Sequence, residues 1–200
     1  MISGIVAAQR VVVVESPQPA TSSYLSVAHD SSPSVTTYSR SGDTFTKLDN
    51  PSSLPAGNAT GVAFSTDGAY LAVANISTPY VTIYSRSGDT FTKLANPAIL
   101  PIGPGRSVSF STDGAYLAVA HSTTPYVTTY SRSGDTFTKL ANPSSLPAGN
   151  ATGAVFSADG AYLAGADGRR AGEASSGTCR ARWSPQPYTT SLPAGNATGA

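Results

Sequence analysis

The chain has 200 residues, of which 12% are charged and 40% hydrophobic; 12 Lys and Arg against 11 Asp and Glu leave a formal charge of +1. That near-balance offers no broad basic field for nucleic acid, and no apolar run reaches the ~18 residues of a membrane-spanning helix. The single cysteine, Cys179, excludes an internal disulfide framework and a zinc cluster built on several thiolates; 19 Gly and 15 Pro with few charges would suit disorder, but 40% hydrophobic residues and ten Tyr argue for a packed core.

Residues 1–20 form an N-terminal segment, a partial repeat at most. Its β-branched run Val11–Val14 suits a strand. No charged stretch followed by a long apolar one precedes a cleavage site, so no signal peptide is expected; the compartment stays open, extracellular or virion-associated included.

From residue 21 to 166 the chain repeats itself. Tyr38, Tyr84 and Tyr130 each open the phrase YSRSGDTFTKL, in steps of 46 residues. Phe64, Phe110 and Phe156 open FSTDGAYLA or a close variant at the same step, as do Pro33, Pro79 and Pro125 in their loops. A constant step without insertions marks one structural unit stacked on itself. Within the copy at 61–94, Gly61–Ser65 reads as a short strand and Asp67-Gly68 as a hairpin turn. Ala69–Ala74 then alternates with period two, and Tyr80–Ser85 does so again after Pro79. Ser87-Gly88-Asp89 makes a turn, and Thr90–Leu94 is a fourth strand. The Pro- and Gly-rich stretch 95–106 cannot sit in a sheet, since proline lacks the ladder donor, and reads as the crossing to the next unit.

Residues 167–190 break the pattern. They carry Arg169, Arg170, Arg180 and Arg182, the lone Cys179 and the lone Trp183. At 191–200 the repeat returns in register, Leu192 standing 46 residues after Leu146. Two accounts are open: a segment read out of frame or replaced at constant length, and a genuine basic loop. The coding DNA separates them.

Four antiparallel strands per 46 residues predict an all-β chain of β-propeller blades. Small Ala72, Ala74, Ala118 and Ala120 suit close sheet-on-sheet packing. Two hundred residues hold little more than four units, which predicts an incomplete propeller or a minimal four-bladed ring. Open blade edges would favour self-association.

The phrase FSxDGxYLAVAxxxxPYVTxY, carried by Phe64, Asp67, Gly68, Tyr70, Leu71, Pro79, Tyr80, Val81 and Thr82 and their counterparts 46 residues on, resembles the WD40-like and YVTN families of propeller repeats. It is similar to tandem repeats of bacterial and phage propeller proteins, across residues 24–166. The resemblance implies a repeat scaffold of bacterial surface or phage structural type, binding a protein or glycan without enzymatic activity or cofactor.

Several repeated residues are candidates for chemistry. His29, Asn75, His121 and Asp167 share one position after the second strand, where blades converge on one face. Such a ring could hold a metal, as some propeller lactonases do, and gives the alternative reading of a lactonase-like hydrolase; polar loop starters are the plainer reading. Arg40, Arg86 and Arg132 flank hairpins bearing Asp43, Asp89 and Asp135, and could meet an acidic partner or glycan or form local solvated pairs. Tyr80 and Tyr126 could make an aromatic binding surface or pack between blades. Asp67, Asp113 and Asp159, one per turn, are too few for calcium and suit turn chemistry. The Asn-Ala-Thr copies at Asn58, Asn150 and Asn196, and Asn75-Ile76-Ser77, match a glycosylation pattern that rides on the repeat. No catalytic residue is picked out, and a gene fragment without activity of its own is the third reading.

Overall fold

The computed structural model describes residues 23–167 and the strand at 179–182. These residues form four antiparallel sheets whose strands follow chain order. The first holds β1 (Ser23–Ala28), β2 (Val35–Ser41) and β3 (Thr44–Lys47). The second holds β4 (Ala59–Phe64), β5 (Tyr70–Asn75), β6 (Val81–Ser87) and β7 (Thr90–Lys93). The third repeats it with β8 (Gly105–Phe110), β9 (Tyr116–His121), β10 (Val127–Ser133) and β11 (Thr136–Lys139). The fourth holds β12 (Ala151–Phe156), β13 (Tyr162–Asp167) and β14 (Cys179–Arg182). The second and third are the expected four-stranded blades, the first and fourth show three strands each among the described residues, and together they cover part of a propeller. The segment 1–20 and the returning repeat at 191–200 lie outside the described residues.

The hairpin turns follow from local chemistry. In the second blade Gly68 takes φ +65°, and its N–H donates to the Ser65 carbonyl at 2.8 Å. The Asp67 carboxylate accepts from the Ser65 hydroxyl at 2.5 Å and from the Ala69 N–H at 3.0 Å. A β-branched residue at position 68 would be strained in that left-handed conformation. The pairing then runs Phe64 to Leu71, Val62 to Val73 and Val73 to Thr82, and recurs 46 residues later as Phe110 to Leu117, Val108 to Val119 and Val119 to Thr128.

The first strands are innermost: β4 packs on β8, and β8 on β12. A Cβ on Gly61 would stand 3.0 Å from the Ser107 Cα, and the Thr60 hydroxyl donates to the Gly105 carbonyl at 2.7 Å. Further out, the core is made between blades rather than within one. Ala72, Ala74, Val81 and Ile83 share a cluster with Val108, Leu117, Val119 and Tyr130 of the next blade. Ala118, Ala120 and Val127 do the same with Ala154, Phe156 and Leu163. The small alanines admit the neighbouring sheet, as their size implied. Each buried Leu, Val or Phe contributes about 1.5–3 kcal/mol over an exposed one, so a blade is stabilised mainly by its neighbour.

Two details depart from the sequence reading. Tyr80 and Tyr126 do not begin the third strands. Each follows a cis-proline, Pro79 or Pro125, and sits in a turn at φ +67° or +66°, its carbonyl accepting from Asn75 N–H or His121 N–H. The atypical segment also contributes more than a loop. Its backbone at Cys179–Arg182 pairs with β13 and takes the third-strand slot. Leu163 there faces Ala181, whereas the 46-residue step from Tyr130 would have put residue 176 opposite it. The remainder of 168–190 lies outside the described residues.

Candidate functional site

The second strands end beside the starts of the innermost strands: Asn75 pairs with Ala59, His121 with Gly105 and Asp167 with Ala151. His29 follows β1 directly, and its carbonyl accepts from the Ala59 N–H of the next blade at 3.1 Å. These four positions therefore fall at one end of the blades, one strand out from the innermost layer. Asn75 and His121 are strand residues with no solvent exposure, not loop starters.

Each is tied to a threonine of the third strand. His29 Nε2 lies 3.0 Å from Thr36 Oγ1, Asn75 Nδ2 donates to Thr82 Oγ1 at 3.1 Å, and His121 Nε2 lies 2.9 Å from Thr128 Oγ1. Asn75 Oδ1 and His121 Nδ1 have no hydrogen-bond partner among the described residues. Burial lowers the imidazole pKa of His121, and nearby Lys139 adds to that. The Thr123 backbone opposes the shift, though it does not complete a hydrogen bond to Nδ1. The neutral ring is therefore favoured at this position.

The buried Asn75 and His121 do not suit metal ligation. The His121 ring has one nitrogen on Thr128 and no opening to solvent. Among the described residues no three His, Cys, Asp or Glu side chains come together as a ligand set. Nor do the turn aspartates offer one. Asp67 and Asp113 are held below the usual carboxylate range first by the hydroxyls of Ser65 and Ser111 and then by the Ala69 and Ala115 N–H groups. Asp159 is lowered in the same way, first by Ser157.

The arginines reach across blades rather than to their own hairpin aspartates. Arg86 Nε donates to the Gly68 carbonyl at 2.6 Å, and its guanidinium carbon lies 4.4 Å above the Tyr24 ring of the preceding blade. Arg132 repeats this with Gly114 at 2.7 Å and the Tyr70 ring at 4.5 Å. The hairpin aspartates instead accept from those tyrosines: Tyr24 Oη donates to Asp89 at 2.9 Å and Tyr70 Oη to Asp135 at 2.8 Å. Arg40, in the first blade, is exposed and donates to the Gly42 carbonyl at 3.2 Å. Tyr24 and Tyr70 went unnoticed as partners in the sequence, although they too stand 46 residues apart.

Tyr80 and Tyr126 are half-buried, and Tyr126 packs against the cluster between the third and fourth blades. At the same end, the crossings and turns expose Leu54, Ile76, Ile99, Ile102 and Leu146. Asn58 and Asn150 are exposed there, whereas Asn75 is sealed from solvent and cannot accept a glycan in the folded chain.

The sequence profile described as lactonase, seven-bladed β-propeller, matches residues 18–156. The chain belongs to that lactonase family. The WD40-like and YVTN resemblance carries over only at the level of the propeller blade. Among solved structures, proteins assigned as 6-phosphogluconolactonases from Bacteroides uniformis and Bacteroides fragilis are similar, each with TM-score 0.50 and 16% identity over 66% of this chain. Hydrazine synthase of Kuenenia stuttgartiensis matches with the same three values. At such identity the likeness concerns the fold. The chain spans 35% of the hydrazine synthase chain and 43% and 44% of the two Bacteroides chains. Comparison with curated proteins found no match. Among the described residues no helix is long and apolar enough to cross a membrane.

Proposed function

We propose that this chain contributes blades to a lactonase-type propeller that opens a sugar lactone. The carrying observation is the family match across residues 18–156. The likeness to proteins assigned as 6-phosphogluconolactonases supports a phosphorylated aldonolactone as substrate class. In that reaction water adds to the lactone carbonyl, the ring C–O bond breaks, and a carboxylate and a hydroxyl result. The ends of the innermost strands β4, β8 and β12 are where a propeller presents groups to a substrate on its axis. No step is routed through Asn75 or His121, whose side chains are sealed from solvent and held by Thr82 and Thr128.

The test is acid release at constant pH from 6-phosphoglucono-δ-lactone and from glucono-δ-lactone. The proposal expects hydrolysis well above the spontaneous rate, faster for the phosphorylated compound. A protein that unfolds cooperatively by circular dichroism yet leaves both rates at background overturns it. A second reading, a scaffold binding a protein or glycan, is favoured by the exposed Leu54, Ile76, Ile99, Ile102 and Leu146 at one end. It expects capture of a partner with no hydrolysis.

A further inference from the structure

The repeat is rewritten at one crossing, and chiefly on its surface. Residues 52–61 and 144–153 read alike, SSLPAGNATG. The equivalent stretch before the third sheet, 98–107, reads AILPIGPGRS. Its anchoring residues Pro101 and Gly103 are buried and unchanged between copies. The exposed positions are the ones that differ: Ile99 stands for serine, Ile102 for alanine and Arg106 for threonine. Ile99 is 60% exposed and Ile102 58%. Blade packing requires none of these three side chains, since the second and fourth sheets form without them.

Arg106 occupies a β-bulge. The register of β8 on β9 shifts between Gly105 and Ser107, as that of β4 on β5 shifts between Ala59 and Gly61. A bulge aims the side chain of its extra residue out of the ladder. In the second and fourth sheets that residue is a threonine whose hydroxyl closes onto backbone. Thr60 donates to the Gly105 carbonyl at 2.7 Å, and Thr152 to the Ala166 carbonyl at 3.2 Å. Arg106 is exposed, and β4, β8 and β12 carry no other charged side chain. Unlike Arg86 and Arg132, it lies over no ring and bonds no carbonyl among the described residues.

From Arg106 the crossing leads away from the innermost layer. Gly105 pairs with His121 of β9, Gly103 lies against Thr123 in the loop after β9, and the Ile99 carbonyl accepts from Tyr130 of β10. Arg106 and Ile99 thus stand about two strand spacings apart, on the order of 10 Å. A cation at the inner end and two apolar side chains leading outward match a ligand with one anionic head and an unbranched apolar tail. We infer that this crossing binds a medium-chain carboxylate, its head paired with the Arg106 guanidinium and its alkyl chain lying on Ile102 and Ile99. The planar guanidinium donates two parallel N–H bonds to a carboxylate, and the chain covers apolar surface that is otherwise in water. The site does not depend on the hydrolase reading, because binding is read without turnover.

Isothermal titration of the full chain with octanoate, below micelle formation, tests the site, with acetate as a head-only and 1-octanol as a tail-only probe. One saturable site for octanoate is expected, roughly tenfold tighter than for acetate and about fivefold tighter than for 1-octanol. Arg106→Thr, and Ile99→Ser combined with Ile102→Ala, restore residues that the second and fourth repeats carry, so the fold tolerates them. Arg106→Thr should bring octanoate down to the affinity of 1-octanol, and the isoleucine pair should weaken it about tenfold. Absence of saturable binding, equal affinity for 1-octanol, or unchanged affinity in either variant overturns the inference. So does binding to phosphatidylglycerol vesicles without binding of octanoate, which would make the crossing a contact for a lipid surface.

Discussion

The contact between Arg132 and Tyr70 joins two blades through side chains alone, and its contribution can be worked out. The guanidinium carbon lies 4.5 Å over a ring that is only 9% exposed. A partly desolvated cation–π contact contributes about 1 kcal/mol. The bond from Nε to the Gly114 carbonyl, at 2.7 Å, is charge-assisted and adds about 1.5 kcal/mol. Arg132→Ala should therefore destabilise the chain by roughly 2–2.5 kcal/mol. Tyr70→Phe keeps the ring but loses the hydrogen bond to Asp135, at a cost of about 1 kcal/mol. Tyr70→Leu removes the ring as well. Urea unfolding of the four combinations of Arg132→Ala with Tyr70→Leu forms a double-mutant cycle, expected to show coupling of about 1 kcal/mol. The Arg132→Ala and Tyr70→Phe pair should be closer to additive, because the ring survives. Coupling below about 0.3 kcal/mol with Tyr70→Leu would refute the stacking argument and leave Arg132 held by the Gly114 carbonyl alone.

Two further outcomes follow from the strand-end and strand-centre groups. The folded imidazole of His121 titrates below its ordinary value of 6.5, so the unfolded chain takes up the proton first. Its share of stability is complete above that value and falls as pH drops through it. His121→Asn, which copies Asn75 at the same repeat position, should flatten the fall in thermal midpoint between pH 7 and 5; an unchanged slope would show that His121 is not its source. Tyr130→Phe leaves the Ile99 carbonyl without its donor and should lower stability by about 1 kcal/mol. Spectrophotometric titration should also show fewer tyrosines holding back until alkaline unfolding in that variant, and an identical curve would contradict the burial of this phenol.

Much of the architecture was legible because it rests on local rules. The Asp-Gly turns, the period-two strands and the constant step of 46 residues are short-range signals, and the first three blades formed on them with one common register. The strand ends were less legible. Tyr80 looked like a strand residue because it continues the alternation, yet the turn after Pro79 holds it at positive φ. Asn75 and His121 looked like loop residues because they are polar, but Thr82 and Thr128 give them partners inside the sheet. Polarity predicts exposure only until a neighbouring strand supplies a hydrogen bond.

The sequence by itself determined the repeating unit, its strand order and its turns, since each depends on residues within about a dozen positions of one another. Tertiary structure alone decided what one blade does to the next. Arg86 stacks on Tyr24 and Arg132 on Tyr70 because adjacent sheets pack face to face, and no periodicity within a blade encodes that pairing.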